Sequence, residues 1–131
     1  MYAFCTYCSA EKNTEPGKIP AIQRYLSARI EKVYAAASRL GIGFFILSGE
    51  FGLIPPEQSI PWYDHLLQPE EVSDLAERMV KQIQEHRITG IVYFTKPLGQ
   101  DHQVHPYHDA LATACNQIPC PLFVVEVDLG S

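Results

Sequence analysis

The chain has 131 residues, 47% of them hydrophobic, and a formal net charge of −5. That is enough chain to bury a core as one domain without disulfide or metal support, and the balance is too negative for broad attraction to a phosphate backbone. No apolar run approaches the ~20 residues of a membrane span. No basic segment precedes an apolar stretch at the amino terminus, so a cytoplasmic location is expected.

Tyr2 to Tyr7 is a short apolar run with aromatics and reads as the first strand. Cys8 to Gly17 is polar, broken by Asn13, Pro16 and Gly17, and reads as a loop. From Ile19 to Leu40, Ile22, Leu26, Ile30, Val33, Tyr34 and Ala37 recur at helical spacing, and Gly41 supplies the stop, which predicts one long crossover helix. Gly43 to Ser48 is a second strand. A long connection from Ser48 to Gln68 follows, rich in large apolar groups such as Phe51, Leu53, Trp62 and Leu67. Connections of this length are usually functional or disordered, and so much apolar surface argues for order. Pro69-Glu70-Glu71 opens a second helix that runs to about His86, since a proline and acids suit a helix start. Ile91 to Phe94 is a third strand, His105 to Gln117 a third helix, and Leu122 to Val127 a last strand.

Apolar strands separated by amphipathic helices predict an α/β fold: a single domain over residues 1–131, three-layer α/β/α, with a mainly parallel sheet of about four strands. Right-handed crossovers then bring the loops that leave the strand ends to one edge of the sheet. That edge gathers Cys8, Ser9 and Lys12, then Ser48, Glu50, Glu57, Tyr63, Asp64 and His65, then Lys96, and finally Asp128.

Cys5-Thr6-Tyr7-Cys8 has the spacing of a redox pair or half a zinc site, but Cys5 falls within the strand, where it points away from such a position. Cys115 and Cys120 supply no second close pair. His102, His105 and His108 recur at steps of three, yet Pro106 interrupts the helix that would align them. No metal and no cofactor is therefore expected. Asp64-His65 beside Tyr63 offers a carboxylate and an imidazole suited to proton transfer or to gripping a polar base edge, and Lys96 offers a point charge for an anion.

Three segments together resemble a known group: Cys8-Ser9-Ala10-Glu11-Lys12, the run from Ser48-Gly49-Glu50-Phe51-Gly52-Leu53-Ile54-Pro55 to Glu57, and Tyr63-Asp64. The chain is similar to a stand-alone bacterial and phage domain of unknown function that is like the domain carried by archaeosine synthases. A looser likeness extends to peroxide-stress proteins through the Ser-Gly-x-x-Gly-Leu segment. The resemblance covers the first half of the chain, with Tyr107 and Leu111 matching further on. It implies a fold like that of uracil-DNA glycosylases and, residue by residue, site roles for Cys8, Ser9, Lys12, Ser48, Gly49, Glu57, Tyr63 and Asp64.

The expected function is that of an enzyme acting on a purine-like or 7-deazapurine base, nucleoside or modified nucleic acid, by hydrolysis or group transfer. Aromatic and apolar residues of the long connection, Phe51 and Tyr63 among them, would stack on a flat ring, with Tyr107 and His65 beside them. Glu57 or Asp64 would accept from ring nitrogens or activate a nucleophile, Lys12 or Lys96 would steady a developing negative charge, and Ser9 and Ser48 would donate hydrogen bonds. The alternative is a non-catalytic module that binds a nucleotide or nucleic acid. A thiol oxidoreductase would require Cys5 and Cys8 exposed and adjacent. The expected partner is a small nucleobase or nucleotide, or a nucleic acid held locally, and not a membrane.

Overall fold

A computed structural model describes all residues, 1–131. The strands are β1 (Tyr2–Tyr7), β2 (Ile19–Pro20), β3 (Gly43–Ser48), β4 (Gly52–Ile54), β5 (Ser59–Ile60), β6 (Gly90–Thr95) and β7 (Leu122–Glu126). The helices are α1 (Ala21–Arg24), α2 (Ala28–Leu40), α3 (Val72–Glu85) and α4 (His105–Gln117). Five strands form one mixed sheet in the order β4-β3-β1-β6-β7, while β2 and β5 pair separately. In the main sheet β1, β3, β6 and β7 are parallel and only β4 runs against its neighbour. No helix is long and apolar enough to cross a membrane.

The observed architecture is thus α/β with a five-stranded, mostly parallel sheet, one strand more than expected. The extra strand, β4, comes from the long connection, which turns back at Gly52 (φ +74°) and pairs Leu53 with Leu47. Gly52 also faces Gln82 of α3, whose side-chain amide donates to Phe51 O (2.9 Å) and accepts from Leu53 N (2.8 Å). A Cβ at position 52 would lie 2.3 Å from Gln82 Oε1. Only glycine combines a positive φ with so close an approach.

α2 packs against β1 and β3, and α3 packs against α4 and β4. Cover thins toward the far edge of the sheet. Phe123 (54% exposed) and Val124 (38%) are neighbours on β7 and point to opposite faces, so neither face of that strand is fully shielded. The inner strands are buried: Ile46, Leu47, Ile91 and Tyr93 are no more than 1% exposed.

The single helix expected over Ile19–Leu40 is two helices. Between them Tyr25, Leu26 and Ser27 leave helical geometry because the first loop laces into them: Asn13 N donates to Arg24 O (2.7 Å) and Leu26 N to Glu11 O (3.1 Å). Apolar residues keep helical spacing on both sides of the break, which is why periodicity alone joins the two. The local signal for the restart is Ser27, whose Oγ accepts from Ile30 N (3.1 Å) as an N-cap.

Arg24 fixes this junction. It is fully buried and makes no ion pair, and its guanidinium donates instead to the carbonyls of Asn13 (2.7 Å), Glu15 (2.9 Å), Gly17 (2.6 Å) and Ile60 (3.1 and 3.3 Å). One side chain therefore ties the first loop and β5 to α1. Replacing Arg24 by methionine takes the donor from the buried Ile60 carbonyl and the part-buried carbonyls of Asn13, Glu15 and Gly17, and loss of about 3 kcal/mol or more of unfolding free energy is expected in urea titrations. An unchanged denaturation midpoint would refute the clamp.

Candidate functional site

The carboxyl ends of β1, β3 and β6 lie in register, with Tyr7 beside Leu47 and Thr6 beside Phe94. Above them opens a cavity of about 310 Å³. Its lining includes Cys8, Ser9 and Lys12 from the first loop, Asp64 and His65 from the long connection, Lys96 after β6 and Tyr107 of α4. Chain segments far apart in sequence thus converge on one hollow, as the parallel topology requires.

Other expected residues stand elsewhere. Ser48 and Tyr63 lie beneath the cavity lining as part of a buried hydroxyl chain. Ser48 Oγ accepts from Glu50 N and Phe51 N (both 3.1 Å), so its own hydrogen is free for Tyr63 Oη (2.8 Å), and Tyr63 in turn can donate to Tyr25 Oη (2.5 Å). Burial first, and the neighbouring Cys8 sulfur next, push both phenols above their ordinary pKa and keep them protonated. Phe51 packs edge-on against Tyr63 with ring centroids 5.2 Å apart, so it buttresses this chain and does not line the cavity. Gly49 lets the connection pass close over the end of β3: a Cβ there would come within 3.2 Å of Leu67 Cβ. Glu57 is exposed, without a hydrogen-bond partner, and outside the cavity. Asp64 lines the cavity but is likewise exposed and unpartnered. Of the large groups in the connection, Trp62 (53% exposed) and Leu66 (44%) reach solvent, while Leu53, Ile54, Ile60 and Leu67 fill the core.

Several lining residues were not anticipated from the sequence: Tyr7, Glu11, Leu26, Arg29, Asp101 and Val104. Arg29 is the most consequential. An arginine on an amphipathic helix ordinarily keeps its charge in water, yet Arg29 is 2% exposed and turned inward. Its Nη1 donates to Thr6 Oγ1 and Tyr7 O (both 2.6 Å) and its Nη2 to Cys8 O (3.2 Å). The guanidinium carbon stands 3.5 Å from the centroid of the Tyr7 ring. A sequence signal was present in the helical spacing, since Arg29 adjoins Ile30 and precedes Val33 by four on the buried side of α2. Tyr7 and Tyr107 stand 6.1 Å apart in a tilted pair, and Tyr107 Oη accepts from Leu67 N (3.1 Å).

Cationic groups at the cavity differ in what they already hold. Lys96 is paired with Asp101 (2.9 Å), which also caps the turn after it by accepting from Gln103 N (2.9 Å). Lys12 has no carboxylate partner; its ammonium lies 4.6 Å from the Tyr63 ring centroid and 3.4 Å from Ala10 O. Ser9 Oγ donates to Glu11 O (2.8 Å) and shapes the loop.

Cys5 and Cys8 are not the exposed pair that thiol redox chemistry requires. Cys5 and Cys8 are both buried and free, and burial raises the Cys5 thiol well above its ordinary pKa. No group of three or more His, Cys, Asp or Glu side chains is placed to hold a metal ion. His102 and His105 have ring centroids 5.6 Å apart, while His108 bonds Asp109 (3.2 Å).

His65 holds the wall formed by the long connection. Its Nδ1 meets Glu50 Oε2 at 2.6 Å and its Nε2 meets Glu71 Oε2 at 2.7 Å, while Glu71 Oε1 accepts from Gln68 N (2.9 Å). Two carboxylates favour imidazolium, so the His65 pKa is raised, by Glu71 first and Glu50 second, and that of Glu71 is lowered in return by His65. Because the histidine value is raised on folding, its contribution is complete below the ordinary imidazole range and is lost as pH climbs through the folded value. The Glu71 contribution is lost in the other direction, as pH falls through its depressed value. Imidazole NMR titration should place His65 above the ordinary histidine value of ~6.5, and Glu71→Gln should bring it down. A His65 midpoint at or below the ordinary value would contradict this arrangement.

No curated protein and no solved structure matches the chain. The likeness to archaeosine synthases and peroxide-stress proteins therefore rests on the quoted motifs alone. Residues 6–122, nearly the whole sequence and every residue of the cavity except Ser131, match a family of unknown function, DUF6884, and the chain belongs to that family.

Proposed function

We propose that the cavity binds a purine-like or 7-deazapurine base, free or carried by a nucleoside, nucleotide or nucleic acid. The observation that carries this reading is the pocket itself: about 310 Å³ at the ends of three parallel strands, with Tyr7, Tyr107, Leu26, Leu66 and Val104 as apolar walls and polar groups interspersed. Small-molecule sites have this size and this mixture, and flat rings are commonly held by aromatic faces with hydrogen bonds at their edges. The unpartnered Asp64 carboxylate and the acceptor side of Ser9 Oγ are the edge-reading groups of the proposal, with His65, whose two ring nitrogens are held by Glu50 and Glu71, fixing the wall beside them, and the motif likeness to archaeosine synthases points toward the same ligand class. An overall negative charge fits a small ligand or a single base better than a long phosphate backbone.

Recognition without turnover is favoured by Glu57 and Asp64, since a working carboxylate in an aromatic pocket has a partner within hydrogen-bond reach and these two have none. The enzymatic reading keeps one observation of its own: the Cys8 thiol and the unpaired Lys12 ammonium line the same hollow. Incubation with purine nucleosides and with DNA containing 7-deazapurines, followed by mass spectrometry of released or modified bases, separates the two.

Binding is checked by calorimetry and thermal shift. A base or nucleoside at about one hundred times its Kd should add about 2.7 kcal/mol of apparent stability. Tyr107→Ala should weaken binding by roughly ten-fold or more through lost stacking, whereas Tyr107→Phe should retain it. Leu66→Asp, at an exposed position on the rim, tests the same wall without touching the core. Absence of binding by every purine and deazapurine would overturn the proposal.

A further inference from the structure

The charge of the ligand follows from the floor of the cavity. Arg29 offers five N–H donors in total. Two on Nη1 are taken by Thr6 and Tyr7, and one on Nη2 by Cys8. Two remain: the second hydrogen of Nη2, and Nε, which has no partner although it is buried. The hydroxyl of Tyr7, whose ring lies against the guanidinium, is also buried and without a partner. Both residues line the cavity, Arg29 at 2% exposure and Tyr7 at 7%.

Every acceptor that Arg29 has found is uncharged, and it takes part in none of the ion pairs of the molecule. The acidic side chains that line the cavity do not pair with Arg29. Glu11 and Asp64 are exposed at the rim, and Asp101 is engaged by Lys96. A guanidinium stays charged in a protein interior, and a buried charge held only by neutral groups lacks the counter-charge that normally offsets its desolvation. By contrast, Arg24, equally buried, spends Nε, Nη1 and Nη2 on backbone carbonyls and does not line this cavity.

Resting on the base-binding reading above, we infer that the ligand is an anion: a purine-like compound whose carboxylate or phosphate is received at the Arg29 and Tyr7 end of the cavity, with Lys12 adding attraction from the wall. The unpaired Nε and the Tyr7 hydroxyl are the donors that meet the anionic oxygens, and charge-assisted bonds to a desolvated guanidinium are the strong kind.

Matched pairs test this on the unmodified protein. Calorimetry compares purine with purine-6-carboxylate and guanosine with guanosine 5′-monophosphate, with inorganic phosphate as a separate probe. The anionic member of at least one pair should bind about ten-fold tighter or more, and the gap should narrow with added salt. The pair that shows the gap tells a ring carboxylate from a sugar phosphate. The Arg29 Nε–H resonance should move with the anionic member and stay in place with the neutral one. Arg29→Lys should close most of the gap and Lys12→Met should narrow it; should Arg29→Lys fail to fold, the resonance in the unmodified protein decides. Equal affinity within both pairs, or a bound anion that leaves the Nε–H resonance unmoved, overturns the anion inference and leaves base binding standing. Inorganic phosphate binding with no purine compound binding does the reverse, and no binding by any probe overturns both.

Discussion

A guanidinium set beneath the carboxyl end of β1 is the interaction on which the site depends. Arg29 projects from the first turn of α2 and meets three consecutive residues, the Thr6 hydroxyl and the carbonyls of Tyr7 and Cys8, just where the chain leaves the sheet. Thr6 Oγ1 in turn donates to Phe94 O (2.8 Å), so one cation couples α2, β1 and β6. The ends of parallel strands present carbonyls that no neighbouring strand completes, and a multidentate donor is an efficient way to satisfy several at once. Arg29 thereby brings a buried positive group to the floor of the pocket, whose lining also carries Lys12, Lys96, Glu11, Asp64 and Asp101.

A second layer of buried polar groups supports the other wall. The chain Ser48, Tyr63 and Tyr25 has a fixed direction because two backbone amides already occupy the acceptor side of Ser48. Its members lie below the cavity lining, where they orient the long connection, and His65 with its two carboxylates fastens the same connection from outside. Several residues selected from motifs thus serve the site by holding its walls.

Much of this was legible in the sequence, for physical reasons that differ by element. β1 and β3 are uninterrupted apolar runs whose limits coincide with the observed strands, and α4 begins and ends as Pro106 and the last apolar repeat suggest. Burial on both faces writes itself into composition. The break at Tyr25–Ser27 was hidden because it is imposed by hydrogen bonds from residues 11–13, which no local window contains. β4 and β5 were hidden because two or three residues carry too little periodicity to register. The convergence of Cys8, Lys12, Asp64 and Lys96 followed from topology and Tyr107 from the motif likeness, whereas Glu57 shared a segment with site residues without lining the cavity. Arg29 shares the buried side of α2 with Ile30 and Val33, but a long cation on an amphipathic helix ordinarily snorkels to water, which masks that spacing.

The clamp formed by Arg24 has a bearing on how anything enters the cavity. With the carbonyls of Asn13, Glu15, Gly17 and Ile60 all fastened to one side chain, and residues 11 and 13 bonded to the junction after α1, the first loop has surrendered its conformational freedom before a guest arrives. Association on that side need not order the backbone, which removes a cost that mobile binding loops carry. Selectivity at this wall then comes from shape and charge already in place, and a compound that demands a wider opening is turned away at the threshold.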